Sequence, residues 1–423
     1  MKSIIPGKVR FIFIVVIFFY SGKVSAYSVL THEAIVDALW EKSIRPLLKE
    51  KYPGATDSLL KEAHAYVYGG AIAPDMGYFP MSNPFFTDLI HYVRSGDFVN
   101  ELLTESADVN EYAFALGFLC HYMADRYGHF LGTNQCVPIV YPKIKKKFGN
   151  IVTYEENKVA HKRMEFSFDV LEIAKGNYAS EAYHDFIGFK VSRPLLERAF
   201  SKIYGMDINK LFNNLNVSIE TFRWTVTSLF PVLTRAAWVT KKKDILKTNP
   251  TITSRNFRYK MNRSGYAQEF GKPKPGILAY PLSWLIRVLP KVGPLASLKI
   301  KNPGAEAEKQ FIKSFDTVIN HCQLTMKFLS EKNVNFTNID FDTGNNTSAG
   351  EYGLADKSYE KLLLRLNKQE FEHADPELEG NVISFFQSGG LDQAHIKNKK
   401  ERRKISKAIA HLQTVAAKTV YQN

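Results

Sequence analysis

The apolar positions of the chain fall into a series of helical segments, and one of them organises the rest. In residues 110–132, NEYAFALGFLCHYMADRYGHFLG, the positions Phe114, Leu116, Phe118, Leu119 and Met123 supply an apolar series and Gly132 a stop, which predicts a helix. Upstream, YSVLTHEAIVDALW predicts a helix opening at His32, with Thr31 as its N-cap and Ile35, Leu39 and Trp40 on its apolar face. Residues 58–72 predict a second helix that ends near Gly69-Gly70. AIAPDMGYFP, punctuated by Pro74, Gly77 and Pro80, predicts a loop, and FFTDLIHYVRSGDFVNELL begins another helix. Residues 152–174 predict one more. Further on, 208–247 reads as helices and 304–332 as a long amphipathic helix carrying Phe311, Phe315, Val318, Cys322 and Leu329. Helices over 356–367 and 397–420 follow, so the fold class is all-α.

The polar positions within this pattern carry the chemistry. His121, Asp125 and His129 stand at i, i+4 and i+8 in the central helix. At about 100° per residue each step of four turns only about 40° further, so all three share one face. Two imidazoles and a carboxylate beside an apolar stripe suit a zinc site. A solvated polar face with ordinary histidines has the same spacing. His161 and Glu165 repeat the i, i+4 relation on the 152–174 helix, where a surface His–Glu contact is the simpler reading. Asp75, beside Pro74, reads singly as a turn aspartate, and His91 as a satisfied core histidine. Seven of the 11 histidines nevertheless precede residue 200. The ordered set of His32, Asp75, His91, His121, Asp125, His129, His161 and Glu165 is poorly explained by chance.

Length and composition set the frame. The 423 residues, 45% hydrophobic and 23% charged, are those of a globular protein with two or three domains' worth of core. At the N-terminus Lys2, Lys8 and Arg10 precede the 10-residue apolar run Phe11–Tyr20, too short to span a bilayer comfortably. Val24-Ser25-Ala26 fits small-residue cleavage, so 1–26 reads as a signal peptide, with Tyr27 the first mature residue and a secreted or periplasmic location. An uncleaved anchor is the runner-up. Three cysteines, Cys120, Cys136 and Cys322, do not make a disulfide scaffold, although a Cys120–Cys136 bridge stays open. The net charge of +14 is concentrated: residues 241–301 hold 14 Lys+Arg against Asp244 and Glu269. This Pro/Gly-rich stretch encloses GILAYPLSWLIRVLPKVGPL and suits contact with an anionic membrane surface, the alternative being a loop and short helix packed on the rest.

The ordered set resembles the zinc-dependent phospholipase C family, and locally the catalytic domain of glycosylphosphatidylinositol-specific phospholipase D. There too a new N-terminal residue precedes a first His by five positions. A Pro-Asp loop, a helical His-Tyr, a His-x-x-x-Asp-x-x-x-His helix and a His-x-x-x-acid helix follow. Here these are Tyr27, His32, Pro74-Asp75, His91-Tyr92, His121/Asp125/His129 and His161/Glu165, over roughly residues 27–205. Single-strand nucleases and 3′-nucleotidases share the same all-helical trinuclear zinc architecture. The resemblance implies three Zn2+ per chain. Asp75, His91, His121 and Asp125 would hold one. Asp125 would bridge to a second, bound by His32 and the amine and carbonyl of Tyr27. His129, His161 and Glu165 would hold a third. Departures are the Tyr start, where the bacterial enzymes have Trp, and a long gap between His129 and His161.

The expectation is therefore a zinc-dependent phosphodiester hydrolase, most simply a phospholipase C acting on a phospholipid substrate. Asp75 is the candidate general base or water-orienting residue, since a loop carboxylate can face the open side of a metal cluster. A nuclease or nucleotidase acting on nucleic acid, phospholipase D-type cleavage and a non-enzymatic zinc-stabilised lipid-binding module are the alternatives. The expected organisation is a signal peptide at 1–26, a catalytic domain at 27–240, the basic segment at 241–303 and a mainly helical accessory region at 304–423. Within the last, DFDTGNNTSAGE (Asp340–Glu351) has the length of a calcium loop, but Gly344 and Asn345 sit at the wrong positions. Asp342-Thr343-Gly344 mimics an aspartic-protease triplet without a second copy.

Overall fold

A computed structural model describes residues 29–179, 187–259, 262–272, 300–331, 334–393, 396 and 398–422. Tyr27, the signal region, and most of the basic segment, including GILAYPLSWLIRVLPKVGPL, lie outside the described residues. The described chain is helical throughout, and its one β feature is an isolated antiparallel bridge, Ile339 to Asn346. None of its helices is long and apolar enough to cross a membrane.

The core is a set of helices wrapped around one that is buried along nearly its whole length. We label α1 Val29–Leu39, α2 Asp57–Ile72, α3 Pro84–Tyr92, α4 Ser95–Glu105, α5 Val109–Gly128, α6 Asn134–Val140 and α7 Lys158–Lys175. The central helix is α5. Asp108 caps it by accepting from the backbone N–H groups of Asn110 and Glu111, and Phe114, Leu116, Phe118, Leu119 and Met123 are all buried, as their spacing predicts.

Helix α2 crosses α5 at very close range. Gly69-Gly70 does not end α2, which continues to Ile72. Gly69 faces the Lys190 backbone, and Gly70 serves the crossing. A Cβ on Gly70 would lie 2.0 Å from the Phe114 carbonyl oxygen, and one on Gly117 would lie 2.1 Å from that of Val67. Each helix thus presents a glycine to the other's backbone, and a turn signal in the sequence is in fact a packing device. Helix α1 begins at Val29 rather than His32, so Thr31 is not its cap. The Thr31 hydroxyl lies inside the helix and donates to Asp169 on α7.

The C-terminal elements close over this core. Helix α8, Gly304–Glu331, lies where 304–332 predicted it, and α9 Gly353–Lys368 and α11 Lys399–Gln422 match their predicted segments. Between them α10, Pro376–Gln393, was not anticipated. Phe311 of α8 stacks on Phe168 of α7 at 4.1 Å between ring centroids, and the Cys136 thiol donates to the Ala307 carbonyl. All three cysteines are free and buried. Apolar residues from α1 to α11 belong to one continuous cluster.

Candidate metal centre

The site residues reach one place because three short-range devices aim them. Thr87 of α3 ties down the turn that carries Asp75: its hydroxyl donates to the Pro74 carbonyl at 2.7 Å and accepts from Gly77 N–H at 2.9 Å. That turn, Ala73–Tyr78, is a buried 3-10 helix rather than an open loop. The helical repeat of α5 aligns His121 with Asp125, and the backbone widens into a π turn at His129–Thr133 directly after. Asn157 caps α7 through the Ala160 N–H and sets its register, which places His161 above Glu165.

Asp125 is the hub. Its Oδ2 lies 3.1 Å from His121 Nε2 and 3.6 Å from His91 Nε2; its Oδ1 lies 3.6 Å from His32 Nε2 and 3.7 Å from His129 Nε2. Asp75 Oδ1 lies 3.4 Å from His91 Nε2. His32 stacks on His121 at 4.3 Å. Two groups of ligand atoms close up to within 4.8 Å of one another: His32, His121 and Asp125, and Asp75, His91 and His121. The third expected group gathers less tightly. His161 Nδ1 and Glu165 Oε1 are 2.6 Å apart, and the His129 ring lies 5.0 Å from that of His161. The described residues thus bring together every expected ligand except Tyr27, and all are buried.

Hydrogen bonds on the far side of each ring choose its tautomer. His91 Nδ1 donates to the Thr87 carbonyl at 3.0 Å, His121 Nδ1 to the Ala71 carbonyl at 2.8 Å, and His161 Nε2 to the Asn134 side-chain oxygen at 2.8 Å. With that nitrogen protonated, the other carries a lone pair. Those other atoms, His91 Nε2, His121 Nε2 and His161 Nδ1, are buried and have no hydrogen-bond partner. The same holds for Asp75 Oδ1, both Asp125 oxygens and Glu165 Oε1. Buried polar atoms are nearly always paired, so a convergent set of orphaned lone pairs fits a cation better than anything else.

The electrostatics agree. Burial pushes His91 and His161 down to about 4 and His129 well below its ordinary value, which keeps these imidazoles neutral, the form a metal takes. For His121, burial acts downward but the charges of Asp125 and Asp75 and the Ala71 carbonyl outweigh it, and the net direction is up. Burial raises Asp75 to about 7, against the opposing pull of His121 and Lys162, and lifts Glu165 well above the carboxylate range. Carboxylates so placed hold their charge only beside a cation.

One participant was missed from the sequence. Asp342, set aside there as part of a chance triplet, is fully buried with its Oδ1 3.6 Å from His129 Nδ1. Asn134 was missed as well. Tyr92, next to His91, donates to Asp342; Asp169 accepts from Thr31, next to His32; and Glu33 is buried with its carboxyl held well above its ordinary pKa by burial and the neighbouring Asp37.

A helical core that gathers buried imidazoles and carboxylates with convergent unpaired atoms suits a metal-dependent hydrolase. Comparison with known families gives the same answer: residues 31–214 match the model of zinc-dependent phospholipase C. The match covers somewhat under half of the chain and supports a likeness to that family, which is one of phosphodiester hydrolases. No curated protein and no solved structure matches.

Proposed function

We propose that the protein is an exported phospholipase C that cleaves glycerophospholipids to diacylglycerol and a phosphorylated head group, with three zinc ions per chain. The observation that carries this reading is Asp125, whose two orphaned oxygens each face two different imidazoles, as a bridge between metal ions requires. Asp75, His91, His121 and Asp125 would hold one ion; His32 and Asp125, with the amine of Tyr27 freed by signal cleavage, a second; His129, His161 and Glu165 a third. Zinc when bound lowers the pKa of water towards about 7 and withdraws charge from phosphoryl oxygens.

The chain's own residues do the rest. Asp75 Oδ1 lies 3.4 Å from His91 Nε2, and a carboxylate oxygen of Asp75 not taken by an ion could accept a proton from the attacking water. Lys162 lies close enough to act electrostatically on both Asp75 and Glu165 and adds positive charge near the site, which favours an anionic phosphodiester. The basic segment 241–303 supports a contact with anionic headgroups, and the N-terminal pattern of Lys2 to Ala26 supports export.

The test uses the mature chain starting at Tyr27, incubated with mixed phospholipids with and without a zinc chelator, and products identified by mass. Chelator-sensitive diacylglycerol is the expected product. Phosphatidic acid would place the cut on the head-group side of the phosphate, and cleavage of single-stranded nucleic acid without lipid turnover would overturn the substrate. Asp75→Asn should lose at least about 100-fold in kcat, within the range for a general base. A fully active variant refutes that role.

A further inference from the structure

The segment after α8 is pinned onto the catalytic helices rather than merely lying beside them. The Ser95 hydroxyl donates to the Ile339 carbonyl at 2.7 Å and accepts from Ile339 N–H at 3.0 Å. Tyr122 donates to the Thr337 carbonyl, and the Phe341 N–H donates to the His91 carbonyl at 3.1 Å. Gly96 and Gly344 allow the close approach. A Cβ at Gly96 would meet the Phe336 carbonyl oxygen at 2.3 Å, and one at Gly344, where φ is +75°, would meet that of Arg126 at 2.5 Å. The ring of Phe341 then lies against His91, 4.8 Å away, and His121, 5.8 Å away.

This docking delivers Asp342 to the third ligand group in a defined orientation. Its Oδ2 accepts from Tyr92 at 2.8 Å and from Tyr352 at 2.6 Å. Its backbone carbonyl accepts from Asn134 Nδ2 at 2.7 Å, which turns the Asn134 oxygen to His161 Nε2. One residue therefore fixes the His161 tautomer through its main chain while two phenols clamp its side chain. The remaining oxygen, Oδ1, is buried and has no hydrogen-bond partner. It lies 3.6 Å from His129 Nδ1. Two donor atoms each about 2.0–2.2 Å from one zinc in tetrahedral geometry are about 3.3–3.6 Å apart.

We propose that Asp342 supplies a carboxylate donor to the metal held by His129, His161 and Glu165. The ligand set is then completed from outside the family-matching domain. This rests on the zinc reading above. It makes the third ion a site with four protein donors, more enclosed than one that leaves several positions to water.

The test is metal content. The wild-type chain, Asp342→Asn and Asp342→Cys are purified in zinc, dialysed against a weak chelator and assayed for zinc per chain, with circular dichroism as a folding check. Asp342→Asn keeps volume but weakens donation, and should release one equivalent at least about 10-fold faster than wild type. Asp342→Cys loaded with Cd2+ should show a thiolate-to-cadmium charge-transfer band that the cadmium-loaded wild type lacks. A folded Asp342→Asn with wild-type zinc content and release rate, or a folded Asp342→Cys without the band, overturns the assignment and leaves the zinc reading standing. A wild-type chain that holds no zinc overturns both.

Discussion

Replacing Gly70 by alanine tests whether the α2–α5 crossing sets the metal centre. The new Cβ would lie 2.0 Å from the Phe114 carbonyl oxygen and 2.9 Å from its carbon. Side chains do not approach within 3.0 Å, and the obstacle is backbone, so the crossing must open by at least about 1 Å. The carbonyl that orients His121 is Ala71, the next residue, at 2.8 Å from Nδ1. A displacement of that size along the bond takes it to about 3.8 Å, past the limit of a hydrogen bond. Overpacking costs about 1–3 kcal/mol and the lost hydrogen bond about 1 kcal/mol, while alanine returns somewhat under 1 kcal/mol of helix propensity. The net is about 1–3 kcal/mol, or a fall in Tm of roughly 1–4 °C for a packed core of this chain length.

The specific consequence lies in the metal. With the Ala71 bond broken, His121 loses the partner that fixes its tautomer, and zinc affinity should fall about 10–100-fold. Calorimetry and zinc content under chelator competition read the two effects, and Gly117→Ala, which meets the Val67 carbonyl at 2.1 Å, should reproduce them. Gly380 in α10 has nothing near its Cβ position, so Gly380→Ala should leave zinc unchanged and raise Tm slightly. If Gly70→Ala melts with the wild type and holds zinc as tightly, the account of the crossing is wrong.

Two further outcomes follow from buried polar groups. Chelation leaves Asp75, Asp125 and Glu165 crowded without a counter-charge, and removing metal present at about 1,000 times its Kd should cost about 4 kcal/mol, seen as a Tm loss of roughly 5 °C that zinc restores; an unchanged melting curve sinks the site. His64, stacked on Trp40 at 3.8 Å, is pushed down to about 3 by burial, so it is neutral when folded. Its folded pKa is below its unfolded value, so its contribution is fully present above about pH 6.5 and is lost at up to about 1.4 kcal/mol per pH unit as pH falls toward 3; His64→Phe should therefore gain on wild type only in that window, and a pH-independent difference refutes it.

How far the sequence could be read depended on the range of each contact. His121, Asp125 and His129 were legible because a helix converts spacing into direction, and the i, i+4 pair on α7 was legible for the same reason. Asp75 and His91 became readable only as members of an ordered series; the device that joins them, Thr87 bridging its own helix to the preceding turn, leaves no spacing signal. Gly69-Gly70 was read as a stop because glycine weakens a helix, and the sequence alone does not show a partner backbone that excludes a side chain. Thr31 was read as a cap because a hydroxyl before a helix usually is one, but its partner Asp169 comes from a helix far along the chain. Asp342 was illegible for the strongest reason: its contacts are Tyr92, His129, Asn134 and Tyr352, and only the last is near in sequence.

The same contacts bear on what the C-terminal half is for. An accessory unit would touch the catalytic helices through a surface that each side could leave. Here the dependence is internal. Arg94, buried at the break between α3 and α4, reaches the Ile203 carbonyl, Asp97 on α4 and Glu377 on α10. Tyr92, one residue from a proposed ligand, directs its hydroxyl to Asp342. Arg94 keeps Asp97 and the Ile203 carbonyl within residues 31–214 and gains Glu377 from beyond them, whereas Tyr92 loses its acceptor without Asp342, and a buried phenol left unpaired costs about 1–3 kcal/mol. The residues that match the family and those that follow them therefore share one packed core around the centre. Asp342 reaching His129 is the point at which that shared core meets the chemistry.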